Sequence, residues 1–388
     1  MTPELTVIAG GPDDFLTAHH LVLQGANRQI GSQLAKLAQE AHATELAPCQ
    51  DPLRIRAQRK ALQHQAPTLH ERMLGVADAF DRSPDDTSVD LTALFAFDLS
   101  VYAEFFGCSS AFVPASRTSS GHNVVLRNLD EGIRFAGAQE TKLFGRPYVV
   151  EMYPDEGHPS LMVVAIDLLS ALDGINSQGL VVTYAAHADY RMTEEFHWEP
   201  TAHAEPGLNE LQTIRYLLDT CANVEEAKEA LLTLRRYYWF EPMLYQVADR
   251  NGDSFVCETS KSGNLTLFTD SLGEPQVMTN FGLHRFGTLD DVPTSDDMQT
   301  GFSFSRFRIL REGLDCRDLE TDDFKALLAE ASFDRLCPET AEGGDPMRSV
   351  WSAVYDIEDL SLDVSFYLGE EPERSGTTRS ESRQFRLR

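Results

Sequence analysis

The sequence predicts an α+β protein in which sheets pack against helices, on three observations. Hydrophobic residues make up 42% of the 388, enough apolar side chain for a packed interior at this length. Helical apolar spacing dominates before Gly107, and β-rich runs begin abruptly after it. Beyond that point two groups of strands are separated by helices, then more helices and a last strand pair follow, an order that suits sheets covered by helices.

From about Asp13 to Phe106 the chain is expected to be helical, with Ile30, Leu34 and Leu37 on one face and Leu91, Leu94 and Phe95 opening another stretch at helical spacing. Cys108–Pro114 and Asn123–Asp130 read as strands separated by Arg117-Thr-Ser-Ser-Gly121, a turn-forming run. Further strands are expected at Tyr148–Met152, Leu161–Ile166 and Leu180–Tyr184, with Asn176-Ser-Gln-Gly179 as punctuation before the last. Leu208, Leu211, Ile214, Leu217 and Leu218 form a helical stripe, and Asn223 with Glu226 marks the capped start of the next helix. Leu244–Ala248 and Ser254–Glu258 flank Asn251-Gly252, a strong hairpin signal, with Asn264–Thr269 as a third strand. Helical sequence runs from about Ser303 to Ala331, and Trp351–Tyr355 with Leu362–Tyr367 closes as a hairpin pair. The expected organisation is a helical segment over 1–107, a main domain over 108–369, and a Ser/Arg/Glu-rich tail over 370–388 with little to bury, read as disordered or loosely docked.

Charge and composition narrow the function. Lys+Arg 33 against Asp+Glu 61 gives a net charge of −28, which repels nucleic acid and anionic membranes. The N-terminus lacks a basic region followed by an apolar one, and no apolar run is long enough to span a bilayer, so a cytoplasmic protein is expected. Six scattered cysteines without C-x-x-C fit a reducing compartment. Gly10-Gly11 and Gly343-Gly344 lack the spacing and the Lys-Ser/Thr of a phosphate loop. His187, Asp189, His197, Glu199 and His203 match no zinc pattern and read as a polar loop at a pocket rim. No metal and no cofactor are expected.

The chemistry concentrates at Cys108. If the two strands pair across the turn so that position numbers sum to about 237, Cys108 lies opposite Leu129, with Arg127, Asn128 and Asp130 close by. A guanidinium near a thiol favours the thiolate. No histidine lies beside Cys108 in the hairpin, since His122 is at the far end. A cut between Gly107 and Cys108 supplies another base, because the freed α-amine has an ordinary pKa near ~7.7–8.0 and accepts the thiol proton. Gly107 leaves the preceding carbonyl open to the thiol in the N→S acyl shift that makes such a cut.

Gly107-Cys108-Ser109-Ser110, Arg127-Asn128-Leu129-Asp130, Gly174-Ile-Asn176-Ser-Gln-Gly179-Leu180, Met278-Thr279-Asn280 and Ser303-Phe-Ser305-Arg306-Phe307 occur in this order. The set resembles the N-terminal nucleophile hydrolases of the choloylglycine hydrolase and isopenicillin N acyltransferase group. The leader, with Gly25-Ala-Asn-Arg-Gln-Ile-Gly31, is similar to the prosegment of the acyltransferase branch. The resemblance implies a four-layer αββα sandwich preceded by a helical prosegment, self-cleavage before Cys108, and transfer or hydrolysis of an acyl group from a non-peptide amide or thioester. It implies Cys108 as nucleophile and α-amine, Arg127 as stabiliser of the thiolate, and Asp130 as the residue that orients the amine. Asn280 would be an oxyanion donor, and Arg306 would complete the electrostatic framework. Two departures stand out. Bile-salt hydrolases carry a second Asn after the Gly-Leu strand where this chain has Tyr184-Ala185-Ala186-His187, so the second oxyanion donor falls to a backbone N–H of that stretch or to His187. Cys108 to Arg127 is also three residues longer, which the turn absorbs.

The resulting expectation is a self-processing cysteine amidase or acyltransferase acting on a small acyl-amide or acyl-thioester, with its own prosegment as a fragment partner. Two other classes remain open: a papain-like thiol hydrolase without self-cleavage, using His187 or His284, and a catalytically silent interaction protein on the same fold.

Overall fold

In the computed structural model, residues 5–49, 51–96, 106–132, 144–188, 205–239, 242–259, 265–296, 300–337, 347–371 and 376–388 are described. Two strands and three helices come first: β1 (Leu5–Gly10), β2 (Thr17–Gly25), α1 (Asn27–His42), α2 (Pro52–Gln65) and α3 (Pro67–Ala79). The hairpin β3 (Phe106–Val113) and β4 (Val124–Gly132) precedes β5 (Tyr148–Pro154), β6 (Ser160–Val164), β7 (Asp173–Asn176) and β8 (Val181–Ala186). Helices α4 (Glu210–Thr220) and α5 (Val224–Thr233) lead to β9 (Met243–Ala248), β10 (Ser254–Thr259), β11 (Thr266–Asp270) and β12 (Gln276–Met278). Last come α6 (Ser303–Leu314), α7 (Thr321–Glu330), α8 (Phe333–Leu336), β13 (Met347–Asp356), β14 (Ser361–Glu371), β15 (Gly376–Arg379) and β16 (Arg383–Arg386).

These strands form two sheets. One is nine-stranded in the order β1-β2-β5-β6-β7-β8-β9-β10-β11; the other runs β12-β3-β4-β13-β14, with β15 and β16 both on β14. The sheets face each other where β3 packs on β8, and Ser110 Oγ bonds Gln246 Oε1 at 2.6 Å and accepts from Thr183 Oγ1 at 2.9 Å across the gap. Helices α4 and α5 cover the outer face of the first sheet, and α6, α7 and α8 that of the second. The result is the αββα order. Covering both faces explains the strand sequences: β4 is buried at every position and carries no polar-apolar alternation, so its Arg127, Asn128, Asp130 and Glu131 all sit inside.

Local chemistry sets the helix ends. Asn209 caps α4 by accepting from Leu211 and Gln212 N–H, and Gln212 reciprocates to the Asn209 backbone. Asn223 caps α5 through Glu226 N–H at 3.0 Å. Between β9 and β10 the turn at Asn251-Gly252 has Gly252 at φ 85°, where a β-carbon is disfavoured.

The region before Cys108 departs from expectation in two ways. It is not only helical: β2 pairs in parallel with β5 from His19 opposite Tyr148 to Gly25 opposite Pro154. His19 and His20 interrupt the apolar pattern of this strand and hid it. The stretch around Leu91–Phe95 is not a helix either. It runs as an irregular connection that docks on the body, with Leu168 N on Leu94 O at 3.0 Å and Ala96 N on Ile166 O at 2.9 Å, its leucines buried beneath. The tail is also ordered where described. β15 and β16 pair with β14, Leu387 is buried, and the Phe385 ring lies 4.9 Å from that of His20. Helical sequence from Ser303 breaks at Asp315 and resumes as α7. Asn264 lies outside the described residues. Among the described residues no helix is long and apolar enough to cross a membrane.

One buried acid at the seam gives a pH prediction. Asp167 Oδ1 accepts from Leu94 N–H at 2.8 Å and Leu169 N–H at 3.0 Å, while Oδ2 meets no hydrogen-bond partner among the described residues. Burial, the largest cause, pushes its carboxyl up to about 6, against the pull of those backbone N–H groups. A folded pKa above the unfolded one means that the folded state binds the proton more tightly, so stability is lost as pH rises through about 4 to about 6. Asp167→Asn keeps the accepting oxygen and removes the charge. Thermal melting is expected to give the variant a higher midpoint than wild type at pH 7.5 and a smaller difference at pH 4.5.

Candidate active site

Cys108 sits in the middle layer of the molecule, fully buried, on a strand paired along its whole length. The β3–β4 register places Cys108 opposite Leu129 and Gly107 opposite Asp130, and every pair sums to 237 as the sequence required. Alternation then divides the neighbours between the two faces. Arg127, two residues from Leu129, projects into the gap between the sheets, and its Nη2 donates to Cys108 Sγ at 3.3 Å. Asp130 falls on the opposite face, toward α6 and α8.

Burial raises the Cys108 thiol above its ordinary pKa, and Arg127 pulls it back down. The thiol is held beside that guanidinium in the unbroken chain. That guanidinium lies 5.0 Å from the centre of the Tyr184 ring, which stacks a π-face on it from β8.

The backbone of Cys108 is held as firmly as its side chain. β12 pairs with β3 up to Met278 opposite Ser110, and two residues further along Asn280 comes level with Cys108. Cys108 N–H donates to Asn280 Oδ1 at 2.9 Å. Arg306 donates from Nη1 to the Cys108 carbonyl oxygen and from Nη2 to Asn280 Oδ1 at 2.6 Å. Since two donors converge on one atom of the Asn280 amide, that atom is the oxygen. Its Nδ2 donates to Ala186 O at 2.9 Å. Asn280 thus turns an acceptor toward Cys108 in this state, where the sequence reading made it a donor.

Arg306 is locked by its own helix start. Gly301 and Phe302, both in left-handed backbone with φ 60° and 49°, bring Gly301 O onto Arg306 Nε at 3.1 Å and Nη2 at 2.8 Å. Holding Phe302 there costs about 1–2 kcal/mol, because its β-carbon crowds the next carbonyl. Arg306 Nη1 also donates to Asp130 Oδ2 at 3.3 Å, and the Phe333 ring lies 5.1 Å from the guanidinium. Ser349 O–H donates to Asp130 Oδ1. Both Asp130 oxygens are thereby engaged, and it is Asn280 that meets the Cys108 nitrogen. Burial raises the Asp130 carboxyl while Arg306 lowers it.

Gly107 is required by space. A β-carbon there would lie 2.6 Å from the Phe333 ring and 2.9 Å from Asp130 Cβ. Overpacking of this kind costs about 1–3 kcal/mol. Gly107→Ala is expected to lose stability on that order in urea titration, and to slow any scission before Cys108 about tenfold as Cys108 is displaced.

The second oxyanion candidates are partly accounted for. Tyr184 lies under Arg127, Ala186 contributes its carbonyl to Asn280, and His187 N–H donates to Pro242 O at 2.9 Å. His187 Nε2 stands 3.7 Å from Glu258 Oε2, and His284 Nδ1 bonds Glu258 Oε1, so both histidines of the papain-like alternative turn to one buried carboxylate. Asp189, His197, Glu199 and His203 lie outside the described residues. Among the described residues, His122, Asp356 and Glu358 are close enough together to hold a metal ion, with His122 Nδ1 2.9 Å from Asp356 Oδ2 at the far end of the hairpin. Asn176 is a turn device: Nδ2 donates to Leu218 O and Cys221 O, and Oδ1 accepts from Gln178 and Leu180 N–H.

Sequence comparison decides the family. The model of the acyl-coenzyme A:6-aminopenicillanic acid acyl-transferase family matches residues 117–366. The chain belongs to that family. The acyl-transferase match takes in Arg127, Asp130, Asn280 and Arg306 and begins after Cys108. Curated protein sequences give no match. A conjugated bile acid hydrolase variant from Clostridium perfringens is similar in structure at 14% identity and TM-score 0.48, over 72% of this chain and 97% of that one. Penicillin V acylase from Agrobacterium tumefaciens is similar at 16% and 0.43, over 66% and 82%. A Caenorhabditis elegans N-acylethanolamine-hydrolyzing acid amidase is similar at 16% and 0.39, over 64% and 93%. Family membership and the αββα layering together make this an N-terminal nucleophile hydrolase fold.

Proposed function

We propose that this member of the acyl-transferase family is a self-processing cysteine enzyme that cleaves or transfers an acyl group from a linear amide or thioester. The observation that carries the reading is the clamp on Cys108: Arg127 on its sulfur, Asn280 on its nitrogen and Arg306 on its carbonyl oxygen, with a glycine before it. In processing, the thiol sulfur attacks the Gly107 carbonyl carbon, the Gly107–Cys108 C–N bond breaks, and the nitrogen takes the thiol proton. Water then hydrolyses the resulting thioester, leaving a Gly107 carboxylate and a free Cys108.

In turnover the α-amine accepts the thiol proton and the sulfur attacks the substrate carbonyl. The leaving amine or thiol departs with that proton, and water or an amine acceptor releases the acyl group. Asn280 Oδ1 supports the role of the α-amine, since the acceptor that holds the Cys108 N–H is already in place. For Asn280 to bind an oxyanion as well, its Nδ2 must serve the substrate from the Ala186 side.

The prosegment is expected to stay bound. Its β2 lies inside the nine-stranded sheet, Arg72 makes a fully buried double contact with Asp219 at 2.5 and 3.2 Å, and Gln58 exchanges two hydrogen bonds with the Gly207 backbone at 2.8 and 2.9 Å. The test of function is acid-quench mass spectrometry after mixing with an acyl thioester. The expected result is an added acyl mass on the peptide that begins at Cys108. A folded, processed enzyme that carries none there overturns the proposal.

A further inference from the structure

The Cys108 clamp leaves one buried ion pair unexplained. β7 is a four-residue strand of the nine-stranded sheet, and its first residue, Asp173, is fully buried with its carboxylate turned to the opposite sheet. Three donors of that sheet meet it there: Arg127 Nε at 3.5 Å and Trp351 Nε1 at 3.4 Å on Oδ2, and the Tyr355 hydroxyl on Oδ1. Every nitrogen of Arg127 is then assigned. Nε goes to Asp173, Nη1 to Asn128 O at 2.9 Å, and Nη2 to Cys108 Sγ at 3.3 Å. A guanidinium is a rigid plane, so fixing two of its corners aims the third.

We propose that Asp173, braced by Tyr355 and Trp351, is the positioning residue that aims Arg127 at the Cys108 sulfur. The inference rests on Cys108 being the nucleophile. Asp173 touches neither the sulfur nor any group that reacts, and acts only through Arg127. Its charge also offsets a guanidinium that is itself fully buried. Asparagine does not substitute: one of its two terminal atoms is itself a donor, facing a site that already presents three donors.

The test is the pH dependence of Cys108 alkylation by iodoacetamide, read by mass spectrometry on purified wild type, D173N, R127A, the D173N/R127A double variant and Y355F. Each is checked by circular dichroism. Loss of aim raises the alkylation midpoint in D173N by about one pH unit, or about tenfold less thiolate at a pH below the midpoint. R127A raises it as well, the double variant goes no further than R127A, and Y355F moves it the same way by less. A D173N midpoint that is unchanged or lower overturns the proposal, and so does a shift that adds in full to that of R127A. If D173N does not fold, the shift of Y355F, and its absence on an R127A background, decides in the same way. Failure of the underlying reading looks different: a processed wild type whose Cys108 is alkylated with the midpoint of an ordinary thiol, unmoved by R127A, rejects the activated nucleophile itself.

Discussion

Replacing Cys108 by alanine is expected to leave the chain intact at 43.3 kDa. Wild type should separate under denaturing conditions into fragments of about 12 and about 31 kDa, in proportion to the residues on either side of Gly107–Cys108. The effect is expected to be all-or-none, because the proposed attack on the Gly107 carbonyl has no other sulfur at that position. Cys257 and Cys221 are pushed up to about 12 and about 11 by burial, whereas only Cys108 has Arg127 on its sulfur among the described contacts. On a native sizing column the two wild-type fragments should run together. A wild type that remains whole after purification, with alkylation elsewhere than Cys108, would remove the α-amine from the mechanism.

Arg306→Met is expected to be the most damaging single change to both folding and processing. Arg306 ties together the Cys108 carbonyl, Asn280 Oδ1, Asp130 Oδ2 and its own Gly301 carbonyl, with Arg306, Cys108, Asn280 and Asp130 all buried. Removing one partner of a buried pair leaves the other charge uncompensated, a loss of about 3–5 kcal/mol. Urea titration of Arg306→Met should register that loss, and intact-mass analysis should show the chain uncut. Adding Asp130→Asn to the same background neutralises the orphaned carboxylate, so most of the stability is expected to return. Scission is not, because nothing then holds the Cys108 carbonyl or turns Asn280. Full recovery of scission in the double variant would assign Arg306 to stability alone.

The site was legible where one local pairing sets it and illegible where several distant segments meet. The β3–β4 register followed from a turn and two strands, so Arg127 and Asp130 could be placed beside Cys108 from position numbers alone. The division of those two residues between opposite faces follows from the same alternation. Asn280 required β12, three residues long and too short to announce itself by periodicity. Arg306 lies on a helix whose start depends on two left-handed residues. Asp173, Ser349, Trp351 and Tyr355 were missed as site residues. A buried Asp at the head of a short strand carries no local signal, and Trp351 and Tyr355, which donate to it, lie more than a hundred positions away. The region before Cys108 was misread for a related reason. Its second strand gains its stability from a parallel partner over a hundred residues downstream, and parallel pairing leaves no hairpin signature.

That parallel ladder has a kinetic consequence. While the chain is whole, β2 and β5 belong to one molecule, and refolding brings them together at an effective concentration set by the connecting chain. After a cut before Cys108 they belong to two. The same ladder becomes a contact between separate polypeptides, and reassembly after denaturation slows with dilution. The processed protein would then hold its shape by the height of its unfolding barrier, while only the precursor would refold independently of concentration.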